Sequence, residues 1–208
     1  MADVRDVAPG LWLWRQPHPD WDESAGWEPP VSSFFVESRG ERAVLDPLAP
    51  PPSVREVWDR LEATPPTMAI VLKPDHVRDV DLFVRWYGAR AYGPRLFFRD
   101  NVPETELEWF EHGQELPGGF LALTDNRNRV ETPLYLPEQR ALVFADGMTA
   151  QDGALRIWDT DHLERVLPEL RAMLELPFEH VLVSHGDPVH TREDFIAALD
   201  REPYRGES

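Results

Sequence analysis

The sequence predicts a mixed α/β layered domain. Three observations carry that prediction. Short apolar runs rich in Ile, Val and Leu alternate with amphipathic stretches of helical period. Several of those runs end in an ionisable residue beside a Gly or Pro, the punctuation of a strand end. No fixed-period repeat and no long linker divides the 208 residues, a length suited to one sizeable domain spanning 1–208.

Taken in order, Val7 to Trp14 reads as a first strand. Gln16 to Pro30 is rich in Pro, Asp, Glu and Trp and reads as a loop, with His18, Asp20 and Asp22 facing either a site or solvent. Val31 to Val36 and Arg42 to Pro47 are β-rich runs joined by Ser38-Arg39-Gly40-Glu41, a hairpin. After Pro50-Pro51-Pro52, Ser53 and Glu56 have the spacing of a capping box, and Val54, Val57, Trp58 and Leu61 form an apolar helix face.

The next stretch organises the rest. Met68-Ala69-Ile70-Val71-Leu72 is a buried strand ended by Lys73-Pro74. Asp75 and His76 follow directly. Val77, Val80, Leu82, Phe83, Trp86 and Tyr87 then recur at mostly helical spacing, and Gly88 closes the helix. In layered α/β folds the carboxyl end of a strand is a favoured place for a ligand site. Arg140 to Gly147 is a further strand ending in an acid and a Gly. Asp161 to Leu176 is an amphipathic helix, His180 to Asp187 a strand ending in ionisable residues, and Thr191 to Leu199 a helix with Thr191 and Asp194 as its capping box.

Composition limits the function classes. Hydrophobic residues make up 42% of the chain, with eight Trp and ten Phe, which is ample for a core. Lys and Arg total 21 against 38 Asp and Glu, a formal charge of -17 that argues against nucleic-acid or anionic-membrane partners. The absence of Cys excludes disulfides, thiolate metal ligands and a Cys nucleophile. The N-terminal run from Met1 to Asp6 has no apolar signal core, and no stretch approaches the roughly 18 apolar residues of a membrane span. A cytoplasmic protein acting on a small molecule is expected. The loop Trp21 to Trp27 is expected to cover a cleft or a homodimer contact.

Three strand ends share one signature: Asp75-His76, Asp146-Gly147 and His185-Gly186, with Asp46-Pro47 as a fourth. Imidazole and carboxylate together are ligands for zinc, manganese or iron. Each pair alone is ordinary; the repetition in one positional role is what points to a site.

In these residues the chain resembles the metallo-β-lactamase fold superfamily. The matching elements are Leu45-Asp46-Pro47, Leu72-Lys73-Pro74-Asp75-His76-Val77, Phe144-Ala145-Asp146-Gly147 and Ser184-His185-Gly186, in the family's order and over residues 31–189. The resemblance implies a four-layered αββα sandwich. It also implies a metal site. In one alignment Asp75-His76 is the Asp-His end of the family's His-rich run, and Asp75, His76, Asp146 and His185 make a complete set for one ion, zinc or else iron or manganese. In a second alignment Asp75 and Arg78 replace family histidines and the site is poor. The family's Thr-Pro-Gly-His element is Glu131-Thr132-Pro133-Leu134 here, so Glu131 is a substitute oxygen ligand or none.

Two functions follow from the resemblance. One is a mononuclear metal-dependent hydrolase of an ester, thioester or lactone, with Asp75 and Arg78 at the reacting centre and Asp187 and His190 supporting His185. The other is a metal-free member that binds a small molecule or a protein, in which Arg78 pairs with Asp75 or Asp146 in place of an ion.

Overall fold

The computed structural model describes residues 3–98, 100–127 and 131–206; of the N-terminal run, Met1 and Ala2 lie outside them. The chain opens with β1 (Asp3–Ala8) and β2 (Leu11–Pro17), then β3 (Pro30–Ser38), β4 (Glu41–Leu45), α1 (Arg55–Ala63), β5 (Met68–Ile70), α2 (Val80–Tyr87), β6 (Arg90–Gly93) and β7 (Glu108–Trp109). It continues through β8 (Glu115–Leu116), β9 (Phe120–Ala122), β10 (Leu134–Leu136), β11 (Ala141–Phe144), β12 (Met148–Thr149), β13 (Arg156–Ile157), α3 (Leu163–Ala172), β14 (His180–Val183), β15 (Val189–Thr191) and α4 (Arg192–Ala198).

Among the described residues, β1 to β7 form one sheet in sequence order, antiparallel as far as β4 and parallel beyond it. The second large sheet runs β15-β14-β11-β10-β9-β8, with one parallel pair, β11 and β14. Each sheet alternates its apolar side chains between two buried faces. Leu11, Leu13, Phe34 and Ile70 of the first sheet meet Leu134, Leu136, Val143 and Leu182 of the second. On the far face of the first sheet, Trp12, Trp14 and Phe35 pack with Val57, Trp58 and Leu61 of α1 and Val80 and Phe83 of α2. On the far face of the second, Leu142, Phe144, Val181 and Val183 pack with Val166 and Leu170 of α3 and Phe195 of α4. Three cores between four layers make the αββα sandwich that the resemblance implies. Burying each large apolar side chain contributes about 2 kcal/mol, so the layers hold by area.

The β3–β4 hairpin turns through Arg39 and Gly40, both at positive φ, 48° and 82°. Those are the dihedral signs of the two-residue turn that matches strand twist. The Thr191–Asp194 capping box forms in full at the start of α4. No helix among the described residues is long and apolar enough to cross a membrane.

Three local expectations are corrected. Residues 7–14 are not one strand: Pro9 and Gly10, with Gly10 at φ 73°, turn the chain between β1 and β2, because Pro-Gly favours a turn over an extended run. The Ser53–Glu56 capping box does not form. Val54 stands at the N-cap of α1 without a side-chain cap, and Glu56 pairs with Arg60 one turn on, at 3.3 Å. The helix after Asp75-His76 begins at Val80, so a short loop, not the helix itself, carries the ionisable pair.

Candidate metal centre

The two sheets meet at the carboxyl ends of their strands. The backbone N–H of Ser32, near the start of β3, donates to Ser184 O at 2.9 Å, and Val31 forms an isolated bridge with His185. This seam places the loop after β4, the loop after β5, the loop after β11 and the loop after β14 around one pocket. Its volume is about 200 Å³, and Asp75, His76, Arg78, Asp146 and His185 all line it.

Asp46 is the hub beneath the pocket. It has no exposed surface, and its backbone sits at φ 44°, an uncommon conformation for a residue with a side chain. Its Oδ1 accepts the backbone N–H of Leu72 at 2.7 Å, which fixes the end of β5. Its Oδ2 lies 2.8 Å from Nδ1 of His76. That carboxylate makes Nδ1 the protonated nitrogen and turns Nε2 outward. Nε2 of His76 faces Oδ1 of Asp146 at 3.2 Å, and Nε2 of His185 faces the same oxygen, also at 3.2 Å. His76 and His185 are both buried, while the Asp146 side chain keeps 23% of its surface open to the pocket.

Neither imidazole contact to Asp146 Oδ1 has hydrogen-bond geometry, and that buried oxygen makes no hydrogen bond. Buried carboxylate oxygens are normally satisfied, so this one calls for a partner. The ligand atoms of His76, Asp146 and His185 all lie within 4.8 Å of one another. Two imidazoles and a carboxylate are a donor set for zinc, iron or manganese. The residues fit one such ion. They do not fit two, because the other oxygen of Asp146 is taken: Lys73 Nζ lies 2.5 Å from its Oδ2 and 2.6 Å from Oδ2 of Asp75.

The loop that presents Asp146 is held from behind by Glu131. Its buried carboxyl accepts the backbone N–H groups of Ala145 and Asp146, each at 2.8 Å, and that of Gly147 more closely still. Burial, with the Asp125 and Asp146 carboxylates close by, pushes Glu131 up to about 8. Arg127 pairs with Asp125 and donates to Gly147 O at 2.8 Å and Trp158 O at 2.9 Å, so the same loop is pinned on its other side.

The electrostatics of the two histidines differ. Burial pulls His76 down, but the Asp146 and Asp46 carboxylates overcome it and raise His76 to about 9. His185 is lowered, by burial first, with Asp146 only partly opposing. Burial raises Asp146, yet the positive charges of His76 and Lys73 hold it well below the ordinary carboxylate range. Lys73 is pulled down by burial and pushed up further by Asp146 and Asp75, so it stays cationic. Asp46, Asp75 and Asp146 are thus balanced by Lys73, Arg78 and the His76 proton.

The structure brings together His76, Asp146 and His185 of the four predicted ligands. Asp75 lines the pocket but is not in the converging set, because Lys73 holds it. Arg78 does not pair with Asp75 or Asp146 by direct contact. Its Nη1 donates to the carbonyls of Ser32 and Asp46, at 2.9 and 2.8 Å, and its own φ is 45°. It therefore ties the start of β3 to the end of β4 under the site. Glu131 clamps backbone rather than facing the pocket. Asp187 and His190 do not support His185: His190 Nε2 bonds to Asp187 O at 2.8 Å, and the Asp187 carboxylate pairs with Arg5 at 3.2 Å.

Lys73 and Trp158 carry no expectation from the sequence, and Trp27 only that its loop covers a cleft or a homodimer contact; all three stand at the site. The rings of Trp27 and Trp158 meet the His185 ring edge-on, with centroids 4.9 and 5.2 Å away. His18, one of the three loop residues weighed above, lines the pocket and packs edge-on against Trp27 at 5.8 Å. For His18 and Trp27 the advance signal was the aromatic and acidic bias of the loop before β3; Lys73 and Trp158 carried none.

No sequence-family model and no curated protein matches the chain. Solved structures do. The metallo-β-lactamase FIM-1 from Pseudomonas aeruginosa, in its mono-zinc form, superposes with a TM-score of 0.67 at 15% identity, covering 95% of this chain and 93% of that one. A metallo-β-lactamase from Erythrobacter litoralis gives 0.72 at 14% identity over 96% and 95%. A flavodiiron core from Synechocystis gives 0.69 at 13% identity over 95% of this chain and 60% of its own. Identities this low speak to architecture alone, and with the layer order, the strand-end loops and the seam they establish that this polypeptide has the metallo-β-lactamase fold.

Proposed function

We propose that this protein is a mononuclear metal-dependent hydrolase of a small acyl substrate: an ester, thioester or lactone. The observation that carries the reading is the convergence of His76 Nε2, His185 Nε2 and an Asp146 oxygen within 4.8 Å. The mono-zinc form of FIM-1 gives the fold a precedent for a single ion. When bound, a divalent ion supplies a Lewis acid and a water of lowered pKa, about 7 instead of 15.7.

The chain's own residues do the rest. Asp46 holds the His76 ring so that Nε2 can ligate. Lys73 fixes the rotation of Asp146 by occupying Oδ2, which leaves Oδ1 for the ion. Asp75 lines the pocket with a buried Oδ1 that makes no hydrogen bond, and it is the group placed to take a proton at the reacting centre. Arg78 keeps a fixed positive charge at the pocket wall. Trp27 and Trp158 exclude water from the side of His185.

The second reading, a metal-free binding module, is favoured by one feature. Lys73 already pairs with both Asp75 and Asp146 without any ion. Metal analysis of protein purified without chelator separates the two. The hydrolase reading expects close to one equivalent of zinc, iron or manganese, lost in Asp146→Asn. Less than about 0.1 equivalents, unchanged by that substitution, overturns it. Hydrolysis of a panel of small esters, thioesters and lactones should depend on the metal and vanish in His185→Ala.

A further inference from the structure

A second cavity, of about 290 Å³, shares Trp27 with the pocket of the metal centre. Its walls are aromatic and acidic: Trp21, Trp27 and Tyr204, with Glu23 and Glu28 at the rim. Among the described residues no Lys or Arg lines it, so it is unsuited to an anion. The loop that forms it is tied to itself and to its neighbours. Trp21 Nε1 donates to Trp27 O at 2.6 Å, and Tyr204 OH to Gly26 O at 3.4 Å. The walls are therefore set before anything binds.

Gln151 adds a directional element. It is nine-tenths buried and lines the cavity. Its Oε1 accepts the backbone N–H of Glu28 at 2.9 Å, which fixes the amide and leaves Nε2 as the other end. That Nε2 is buried and has no hydrogen-bond partner. A buried amide donor without a partner costs about 1–3 kcal/mol, so the site calls for an acceptor from outside the chain.

We propose that this cavity binds an alkylammonium group that carries an oxygen acceptor, as in an amino alcohol with a methylated nitrogen or its acyl ester. Aromatic faces attract an organic cation through their quadrupole, and carboxylates at the rim add to it. Gln151 Nε2 donates to the ligand's oxygen. A bare metal ion is the wrong occupant: among the described residues the only converging group of metal-ligating side chains is His76, Asp146 and His185. Trp27 lines both cavities, which makes an acyl ester of such a cation the substrate class for the metal centre. That last step, the substrate class, rests on the hydrolase reading above. The cation site itself does not.

The test is binding of choline, tetramethylammonium and the uncharged carbon isostere of choline, in which a tert-butyl group replaces the trimethylammonium. Intrinsic tryptophan fluorescence and calorimetry read the binding. Choline should bind about tenfold or more tighter than its isostere. Trp21→Ala should abolish binding, and Trp21→Phe should retain part of it, which separates loss of the cage from loss of the fold. Gln151→Glu, which keeps the acceptor for the Glu28 N–H and removes the donor, should weaken choline relative to tetramethylammonium, which has no oxygen. Equal binding of choline and its isostere, or no saturable signal with choline, overturns the proposal. The same titration in Asp146→Asn should be unaltered, so failure of the metal centre and failure of the cation site give different results.

Discussion

His76 and His185 present the same atom, Nε2, to the same oxygen of Asp146 at the same distance, 3.2 Å, and are held there by opposite means. His76 is held by charge. Its Nδ1 is bonded to Asp46, a carboxylate with no exposed surface, and the ring stays protonated up to about 9. His185 is held by shape. Its Nδ1 is buried without a hydrogen-bond partner, two indole rings flank it, and burial lowers its proton affinity. One ligand is poised by electrostatics that an ion must displace, and the other by packing that an ion leaves alone. Substitutions on the two sides should therefore fail in different ways.

The largest effect is expected on the side held by shape, at its backbone. Gly186 sits at φ 82°, and a Cβ there would lie 2.2 Å from the Ala150 carbonyl carbon. Backbone cannot swing aside as a flexible side chain does. Gly186→Ala should cost about 3 kcal/mol or more, read as a lowered Tm. A Tm within a degree or two of the parent would mean that the close approach of residues 150 and 186 does not position His185.

On the side held by charge, Asp46→Asn is the sharper probe. The amide oxygen can still accept from Leu72 N–H, so the strand end survives. The amide nitrogen then faces His76 Nδ1 as a donor, which moves the imidazole proton to Nε2 and removes it as a ligand. Metal affinity should fall about 10- to 100-fold with little loss of stability. A fall in Tm without a fall in affinity would place the role of Asp46 in the strand end instead.

The same contrast sets a pH dependence. A group whose pKa is raised on folding stabilises the fold in full below its unfolded value and loses that contribution as pH rises through the folded one. For His76 in metal-free protein the window runs from about 6.5 to about 9. An ion must displace that proton, so metal affinity should rise about tenfold per pH unit through the same window and level off above it. His185, lowered, adds no slope there. A flat affinity profile from neutral pH upward would show that His76 is already neutral in the metal-free site.

The fold was legible because strand ends and layer order leave marks in one dimension. Apolar runs that stop at Asp75-His76, Asp146-Gly147 and His185-Gly186 align the carboxyl ends of three strands, and the fold brings those ends to one seam. What was not legible is what a side chain meets across the seam. Lys73 reads as a surface lysine after a strand; it is mostly buried only because Asp75 and Asp146 converge on it. Glu131 has the same chemistry whether it faces an ion or three backbone N–H groups, and nothing nearby in sequence distinguishes the two. Trp27 and Trp158 come from irregular loops, where no periodicity reports a facing. Arg78 lines the pocket, but its partners are carbonyls, which every residue possesses and no pattern marks.

The smallest effect expected is also the most discriminating for packing. Trp158 touches His185 edge-on at 5.2 Å and Tyr204 edge-on at 5.8 Å. Its backbone is fixed independently of its ring, by Arg127 at its carbonyl and by its own N–H donating to Gly147 O at 3.2 Å. Trp158→Phe therefore keeps an aromatic face in place and removes only part of the wall. It should cost less than about 1 kcal/mol and change metal affinity by no more than about threefold. If shape is what holds His185, several partial walls share the task, and trimming one leaves the ring where it was. A loss in affinity as large as that of Asp46→Asn would instead make the Trp158 ring the sole constraint on His185, and the two histidines would then each depend on a single partner.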